Sequence, residues 1–180
     1  MRIGRGIACS LLGLCLGISG AWALMERNNA PAPLEDEILD RLIGQWTLSG
    51  TLYGPDGTPG AFTGTDSCRW VAGHQFVMNE RVITPKGDVP QLENVEVFRF
   101  DPKAGAFSVW TFTSRGTFSK RSGKCQGDTL TLEGEGPMGT SRTTMTIPAK
   151  GDPTFKLEIK ALGSDSYSPH GEGTGKRKGA

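Results

Sequence analysis

His74 and His170 are the only two histidines in the 180-residue chain, and their scarcity limits the chemistry open to it. Zinc centres are built from closely spaced Cys and His ligands. Cys9, Cys15, Cys68 and Cys125 include no Cys-x-x-Cys pair, so no metal site is expected. Nucleophilic catalysis wants Ser or Cys beside a base and an orienting acid, and no Gly-x-Ser-x-Gly elbow occurs. His74, within Ala72-Gly73-His74-Gln75, reads as a polar turn residue. Carboxylates remain: Asp66, Glu80, Glu93 and Glu96 fall on expected strands, where a pair meeting inside a barrel would do general acid–base work. The alternative is that they face outward or sit in ion pairs. Asp66, Glu80 or His74 in a barrel mouth would make a small hydrolase or isomerase.

Arg69 and Glu80 lie on consecutive strands joined by a tight turn at 72–74, which brings them near each other across the ladder. Pointing inward, they would orient the polar end of a ligand; pointing outward, they form a surface pair. Trp46, Trp70, Trp110, Phe98, Phe100, Phe112 and Phe118 supply enough apolar surface either to line a pocket or to fill a solid core. The ligand-binding candidates are Arg69, Trp70, Glu80, Phe98, Phe100, Trp110 and Phe112. Glycines fall in hairpin turns and not between a strand and a helix, so no phosphate loop or dinucleotide fingerprint is present.

The elements that position these residues follow from patterning. Residues 1–6 carry Arg2 and Arg5 without an acid, an apolar run covers 7–20, and Ala21-Trp22-Ala23 follows: a secretory signal with its cleavage site. The run is about 14 residues where a membrane-crossing helix needs about 20. Leu14 before Cys15 disfavours lipid attachment. The expected organisation is a signal peptide over 1–23, a flexible leader over 24–33 and a barrel domain over 34–178. Removing residues 1–23 takes Arg2 and Arg5 from the 20 basic residues, leaving 18 against 19 acidic ones, a formal charge of −1 that gives no case for nucleic acid. Export to the periplasm or medium would leave Cys68 and Cys125, either disulfide-bonded or as two buried thiols. A bond would close about 57 residues and stabilise by about 4 kcal/mol on the chain-entropy model.

One helix is expected, over 34–43, where Leu34, Ile38, Leu39 and Leu42 share a face and Glu35, Asp36 and Glu37 place negative charge in the first turn; Gly44 stops it. Strands are expected over 46–53, 60–71, 75–84, 93–101, 106–114, 116–125, 129–134, 141–148, 154–162 and 167–177, separated by Gly-, Pro- and Asp-rich turns. Nine or ten hairpin-linked strands close most economically into an all-β, antiparallel up-and-down barrel, with a two-sheet sandwich as the alternative. Alternation leaves the inward face undecided: Val95 and Val97 oppose Phe98 and Phe100 on one strand, Phe107 and Val109 oppose Trp110 and Phe112 on the next, and both faces are apolar.

Gly44-Gln45-Trp46 after a short acidic helix resembles the Gly-x-Trp signature that opens lipocalin-type barrels. With Leu42-Ile43 before it, the stretch Gly64-Thr65-Asp66-Ser67-Cys68-Arg69-Trp70-Val71-Ala72-Gly73, the strand-turn-strand from Phe98 through Asp101-Pro102 to Phe107, and the basic end Lys176-Arg177-Lys178, the chain resembles the uncharacterised, calycin-like family known as domain of unknown function 1579. Gly175 stands where that family's pattern would carry an aromatic. The resemblance covers about 34–178 and implies a fold and an export habit, but no reaction. Lipocalin-type barrels imply that Arg177 lies over Trp46 at the closed end, a cation–π contact of about 0.5–2 kcal/mol; the alternative is that Arg177 belongs to a solvated basic tail. Nitrobindin-like barrels, which share Gly-x-Trp, imply His170 as a haem ligand, although Ser168-Pro169-His170-Gly171 reads as an exposed turn. The leading expectation is an exported barrel, without an assigned cofactor, that binds a small apolar or amphipathic ligand. An enzyme, a haem barrel and an interaction protein with a filled core are the alternatives.

Overall fold

Asp36 decides where the chain begins its helix. Its backbone is extended and its carboxylate accepts the Leu39 N–H at 2.9 Å, so α1 spans Glu37–Leu42, starting three residues later than the apolar spacing suggests. The computed structural model describes residues 31–87, 90–136 and 138–179, and Leu34–Ala180 forms one compact unit. The expected signal peptide, and the leader up to residue 30, lie outside the described residues. α1 buries Ile38, Leu39 and Leu42. Gly44 then takes φ +135°, outside the range open to other residues, and turns the chain into the first strand.

Ten strands follow: β1 (Gly44–Tyr53), β2 (Pro59–Val71), β3 (Phe76–Pro85), β4 (Leu92–Asp101), β5 (Ala106–Thr113), β6 (Phe118–Gln126), β7 (Thr129–Gly136), β8 (Gly139–Thr146), β9 (Thr154–Ala161) and β10 (Ser168–Arg177). Each pairs antiparallel with its sequence neighbours and β10 returns to β1, which closes the barrel and removes every edge. Closure is pinned at the α1 end. Trp46 lies opposite Arg177, whose guanidinium sits over the indole ring at 4.3 Å and donates to the carbonyls of Ile43 at 2.6 Å and Arg41 at 3.2 Å. The Trp46 indole N–H donates to the Leu42 carbonyl at 2.8 Å, so one aromatic ring and one guanidinium tie α1, the first strand and the last together.

Inward positions along β10 are Gly171, Gly173 and Gly175, opposite Leu52, Gly50 and Leu48 of β1. A Cβ at Gly173 would come within 2.6 Å of the Ser49 carbonyl and 3.0 Å of the Phe155 ring, and one at Gly50 would overlap the Glu172 carbonyl. The backbones therefore approach closely enough to coil the wall, and the rings of Phe62 and Phe155 occupy the space the glycines leave, 6.2 Å apart. Gly175, where an aromatic was expected, has the Leu48 and Trp46 side chains and Pro153 against it.

Ladder registers settle the faces. Phe98, Phe100, Phe107 and Val109 are paired partners on the inner side, whereas Val95, Val97, Trp110 and Phe112 share the outer side. Leu39, Val77, Phe98, Phe107, Val109, Leu130 and Leu132, each at most 2% exposed, make the solid core.

The disulfide considered between Cys68 and Cys125 is not formed; both are free. Cys68 lies on β2 and Cys125 on β6, four strand spacings of about 4.8 Å apart around the wall, whereas a disulfide needs Cα atoms within about 7 Å. Burial pushes the Cys68 thiol up to about 12, and Cys125 donates weakly to the Gly127 carbonyl at 3.1 Å.

Close approach makes a prediction about glycine. A Cβ at Gly123 would overlap the Thr131 carbonyl, whereas at Gly136 it would meet nothing nearer than 3.8 Å. Gly123→Ala should lower the urea-unfolding free energy by about 1–3 kcal/mol, and Gly136→Ala should leave it within about 0.5 kcal/mol of the parent.

Candidate functional site

Inward positions on β2, β3 and β4 carry charge where a barrel of this size usually carries hydrocarbon. Asp66 pairs in register with Arg81, and Asn79 with Glu96. Arg81 donates two hydrogen bonds to the Asp66 carboxylate, both at 2.8 Å, and lies 3.6 Å from Glu96. Arg121 on β6 reaches the other oxygen of Glu96 at 3.0 Å and donates to the hydroxyls of Thr111, at 2.8 Å, and Thr143. The Asn79 amide donates to Glu96 at 3.3 Å, and the Thr111 hydroxyl lies 3.4 Å from it. A chain of alternating sign, Asp66–Arg81–Glu96–Arg121, thus crosses the lumen with two positive and two negative groups.

Neutrality is what makes this burial tolerable, because an unpaired charge removed from water costs several kcal/mol. Burial alone would raise the Glu96 pKa, but the Arg81 and Arg121 guanidinium groups outweigh it and hold it below the ordinary glutamate value. Burial likewise works against the charged form of Arg81, and the Glu96 and Asp66 carboxylates reverse it and hold the guanidinium charged. The Phe155 ring stands 5.4 Å from the same guanidinium.

Not every polar atom in the lumen is satisfied. Among the described residues the Nε of Arg121 and the side-chain oxygens of Asn79 and Asn94 are buried without a hydrogen-bond partner. Arg121 is 8% exposed and Asn79 2%; both bond to Glu96, and Asn94 pairs in register with Arg81. One unpaired donor and one unpaired acceptor therefore belong to this network, and a second acceptor, Asn94 Oδ1, stands on the residue across the ladder from Arg81. Below the network, towards α1, the lumen is filled by the solid core. Above it, Phe62 and Ile83 are buried at 1% and 7% exposed, while the inward-facing Leu52, Leu92, Leu157 and Ile159 stay partly exposed, and Asn94, Thr113, Ser119 and Ser141 share that half.

The residues singled out from sequence divide. Phe98 and Phe100 face inward, but Phe98 is sealed in the core and Phe100 lies against Phe107 at 4.7 Å. Trp70 donates to the Asp40 carboxylate at 2.9 Å and stacks on His74 at 3.9 Å, which fastens α1 to the barrel. Arg69, Glu80, Trp110 and Phe112 are corrections to the expected pocket lining, since they face outward. Arg69 and Glu80 meet at 3.7 Å with half of each side chain in solvent, and Phe112 is 48% exposed against Phe118. Asp66, Glu80 and His74 do not converge: Asp66 is locked to Arg81 in the lumen, Glu80 is outside, and His74 sits in the turn beside α1. Glu93 is exposed. His170 stands half-buried at the bulge in β10, where desolvation lowers its pKa.

Arg81, Arg121, Asn79, Asn94, Thr111 and Thr143 were not foreseen. Val77, Asn79, Arg81 and Ile83 do share one face of β3, so the polar pair was visible as an interruption of an apolar stripe; on β6 no apolar stripe exists to reveal Arg121.

Two open cavities lie outside the lumen. A groove of about 700 Å³ over β8, β9 and β10 is lined by Thr144, Thr146, Thr174, Arg142, Lys156 and Glu158; its cations already pair with Glu158, at 2.9 Å for Arg142 and 2.8 Å for Lys156. A pocket of about 520 Å³ beside α1 includes Arg41, Trp46, Asp152, Lys176 and Arg177. Arg41 and Arg177 there are held by carboxylates and backbone carbonyls. Neither matches the lumen in unpaired buried groups. Among the described residues no group of three or more His, Cys, Asp or Glu side chains gathers to hold a metal, and no helix is long and apolar enough to cross a membrane.

The family model described as protein of unknown function (DUF1579) matches residues 33–165. The chain belongs to this family. Among solved structures, Rv2717c from M. tuberculosis shares the fold, with a TM-score of 0.63 at 16% identity over 79% of this chain and 98% of that one. The S-type phycobiliprotein lyase CPES from Guillardia theta aligns with a TM-score of 0.49 at 10% identity, over 80% of this chain and 92% of that one, too distant to carry an argument. No curated protein matches the chain in sequence. Family membership brings the barrel and no activity.

Glu96 carries the pH prediction. Its pKa is depressed in the folded state, so the unfolded chain binds the proton more readily, and folding stability rises with pH through the glutamate range and is lost as pH falls through the folded value. Glu96→Gln should cost about 3–5 kcal/mol at neutral pH by leaving Arg81 and Arg121 undercompensated. Urea titrations between neutral pH and about pH 3 should also show a smaller acid loss in the variant than in the parent.

Proposed function

We propose that this is an exported binding protein whose barrel takes a small amphipathic molecule through the end remote from α1. The observation that carries the proposal is the set of unpaired buried atoms, Arg121 Nε and Asn79 Oδ1 on the charged network that crosses the lumen and Asn94 Oδ1 beside it. Buried polar atoms in native proteins are almost always paired, with protein, water or ligand. A head group with an acceptor for the guanidinium N–H and a donor for an amide oxygen would complete them, and Leu52, Leu92, Leu157 and Ile159 offer apolar contact to its tail. Export rests on the charged, apolar and Ala-x-Ala succession of residues 1–23. The acid–base reading loses ground because its three residues lie apart.

The probe for this reading is dansyl-aminoundecanoic acid, whose emission rises on transfer from water to an apolar site. The wild-type chain should bind it saturably, Asn94→Leu should weaken binding by about tenfold through one lost polar contact, and Ile159→Trp should block the mouth and abolish it. If the wild-type protein gives no saturable signal, or Ile159→Trp binds as well as the parent, the lumen is not the site.

A further inference from the structure

Exposed large apolar side chains gather at one end of the barrel. Among the described residues there are four: Phe112 at 48%, Phe118 at 53%, Met138 at 57% and Leu162 at 82% exposed. Phe112 and Phe118 flank the turn between β5 and β6, their rings 5.2 Å apart; Met138 stands in the turn between β7 and β8, and Leu162 directly follows β9. Because β1 starts beside α1 and each strand is antiparallel to the next, these three turns all lie at the mouth, the end remote from α1. The turns at the α1 end carry none of the four. Two strand spacings of about 4.8 Å separate each tip from its neighbour, so the apolar groups are spread along an arc of the rim.

Trp110 and Lys120 follow one layer behind the tips. They pair in register on the outer wall, two residues from Phe112 and Phe118, with the ammonium 5.6 Å from the indole ring. Two residues of a strand tilted as barrel strands are advance about 5 Å along the barrel axis. Lys160 stands likewise two residues before Leu162, and Arg115 occupies the β5–β6 turn. Arg115, Lys120 and Lys160 outnumber the acids at the same turns and strand ends, Glu135 and Asp165, and none of the three is held in an ion pair among the described residues.

We infer that the mouth rim docks on the surface of a phospholipid bilayer. Apolar tips in front, with a Trp and cations a few ångströms behind, match the layers of a bilayer from the inside out: hydrocarbon, then head groups, where Trp rings settle and Lys or Arg meets phosphate. The head-group layer is about 5–8 Å thick on each side. Tips inserted to the acyl boundary therefore leave Trp110, Lys120 and Lys160 within it. A protein partner would have to match three separate tips with one fixed shape, whereas fluid lipid closes around each. Leu52, Leu92, Leu157 and Ile159 are partly exposed at the same end, and docking turns that opening towards the hydrocarbon. The inference does not depend on what the lumen binds.

Residues 31–180 hold the whole compact unit Leu34–Ala180 and omit the apolar run of residues 7–20, which would bind lipid by itself. Flotation with phosphatidylcholine vesicles should carry this chain saturably, and adding phosphatidylglycerol should tighten binding about fivefold through the rim cations. Leu162→Glu and Phe118→Glu, at exposed positions where circular dichroism can check the fold, should each weaken binding at least about tenfold. Lys120→Glu should weaken binding to the phosphatidylglycerol vesicles, whereas Lys103→Glu, an equal change of net charge in the β4–β5 turn at the α1 end, should not. Lipids brominated high on their acyl chains should quench part of the tryptophan emission, and Trp110→Phe should remove that part. No saturable flotation, tip variants that float like the parent, Lys103→Glu as weak as Lys120→Glu, or quenching that survives Trp110→Phe would each overturn the assignment. A chain that self-associates without floating would also overturn it, and would give the tips to a protein partner.

Discussion

Electroneutrality inside the barrel is the constraint on which the rest depends. Glu96, on β4, is held by Arg81 from β3 and Arg121 from β6, and Arg81 is in turn forked onto Asp66 of β2. Remove one member and another is left charged in a medium that cannot solvate it, at a cost comparable to much of the stability of a small domain. The network therefore ties strands from one side of the wall across the lumen to the other. It also divides the interior: a sealed core between it and α1, and on the other side the buried Phe62 and Ile83 with partly exposed side chains nearer the mouth.

A second constraint is closure. An up-and-down barrel is stable only if its last strand finds its first, and here that meeting has specific chemistry. Glycines at the inner positions of β10 let it approach β1, aromatic rings fill the space those glycines vacate, and Arg177 spans the seam over Trp46 while satisfying carbonyls at the end of α1. The Gly-x-Trp at the start of the domain and the basic run at its end, 131 residues apart from Trp46 to Arg177, are two halves of one contact. Their pairing in the ladder explains why a short helix precedes the barrel: α1 plugs the end that this contact seals.

The strands β4 and β5 show how a single alternation can conceal two environments. On β4 and β5 both faces are apolar, one to fill the core and one to present Val95, Val97, Trp110 and Phe112 outside. Aromatics that sequence reasoning grouped as possible pocket lining thus separate into a sealed core and an exposed patch, and Arg69 with Glu80 borders the patch and not a cavity. Where a strand had one polar face the choice was plain. Where it had none, only the neighbouring ladder decided.

Composition and spacing by themselves established the all-β class, nine or ten strands placed to within two residues at most ends and the one expected helix, while the family came from the resemblance of particular motifs. These are properties of local patterning and turn chemistry, and the chain expresses them without reference to distant residues. Three things were decided only by the folded molecule. Cys68 and Cys125 are free because β2 and β6 stand on nearly opposite sides of the wall. Arg81 and Arg121 became interior because closure turned their faces inward towards Glu96. Trp110 and Phe112 became exterior for the same reason. Each depends on which strand lies beside or across from which, a long-range relation that periodicity along one strand does not encode.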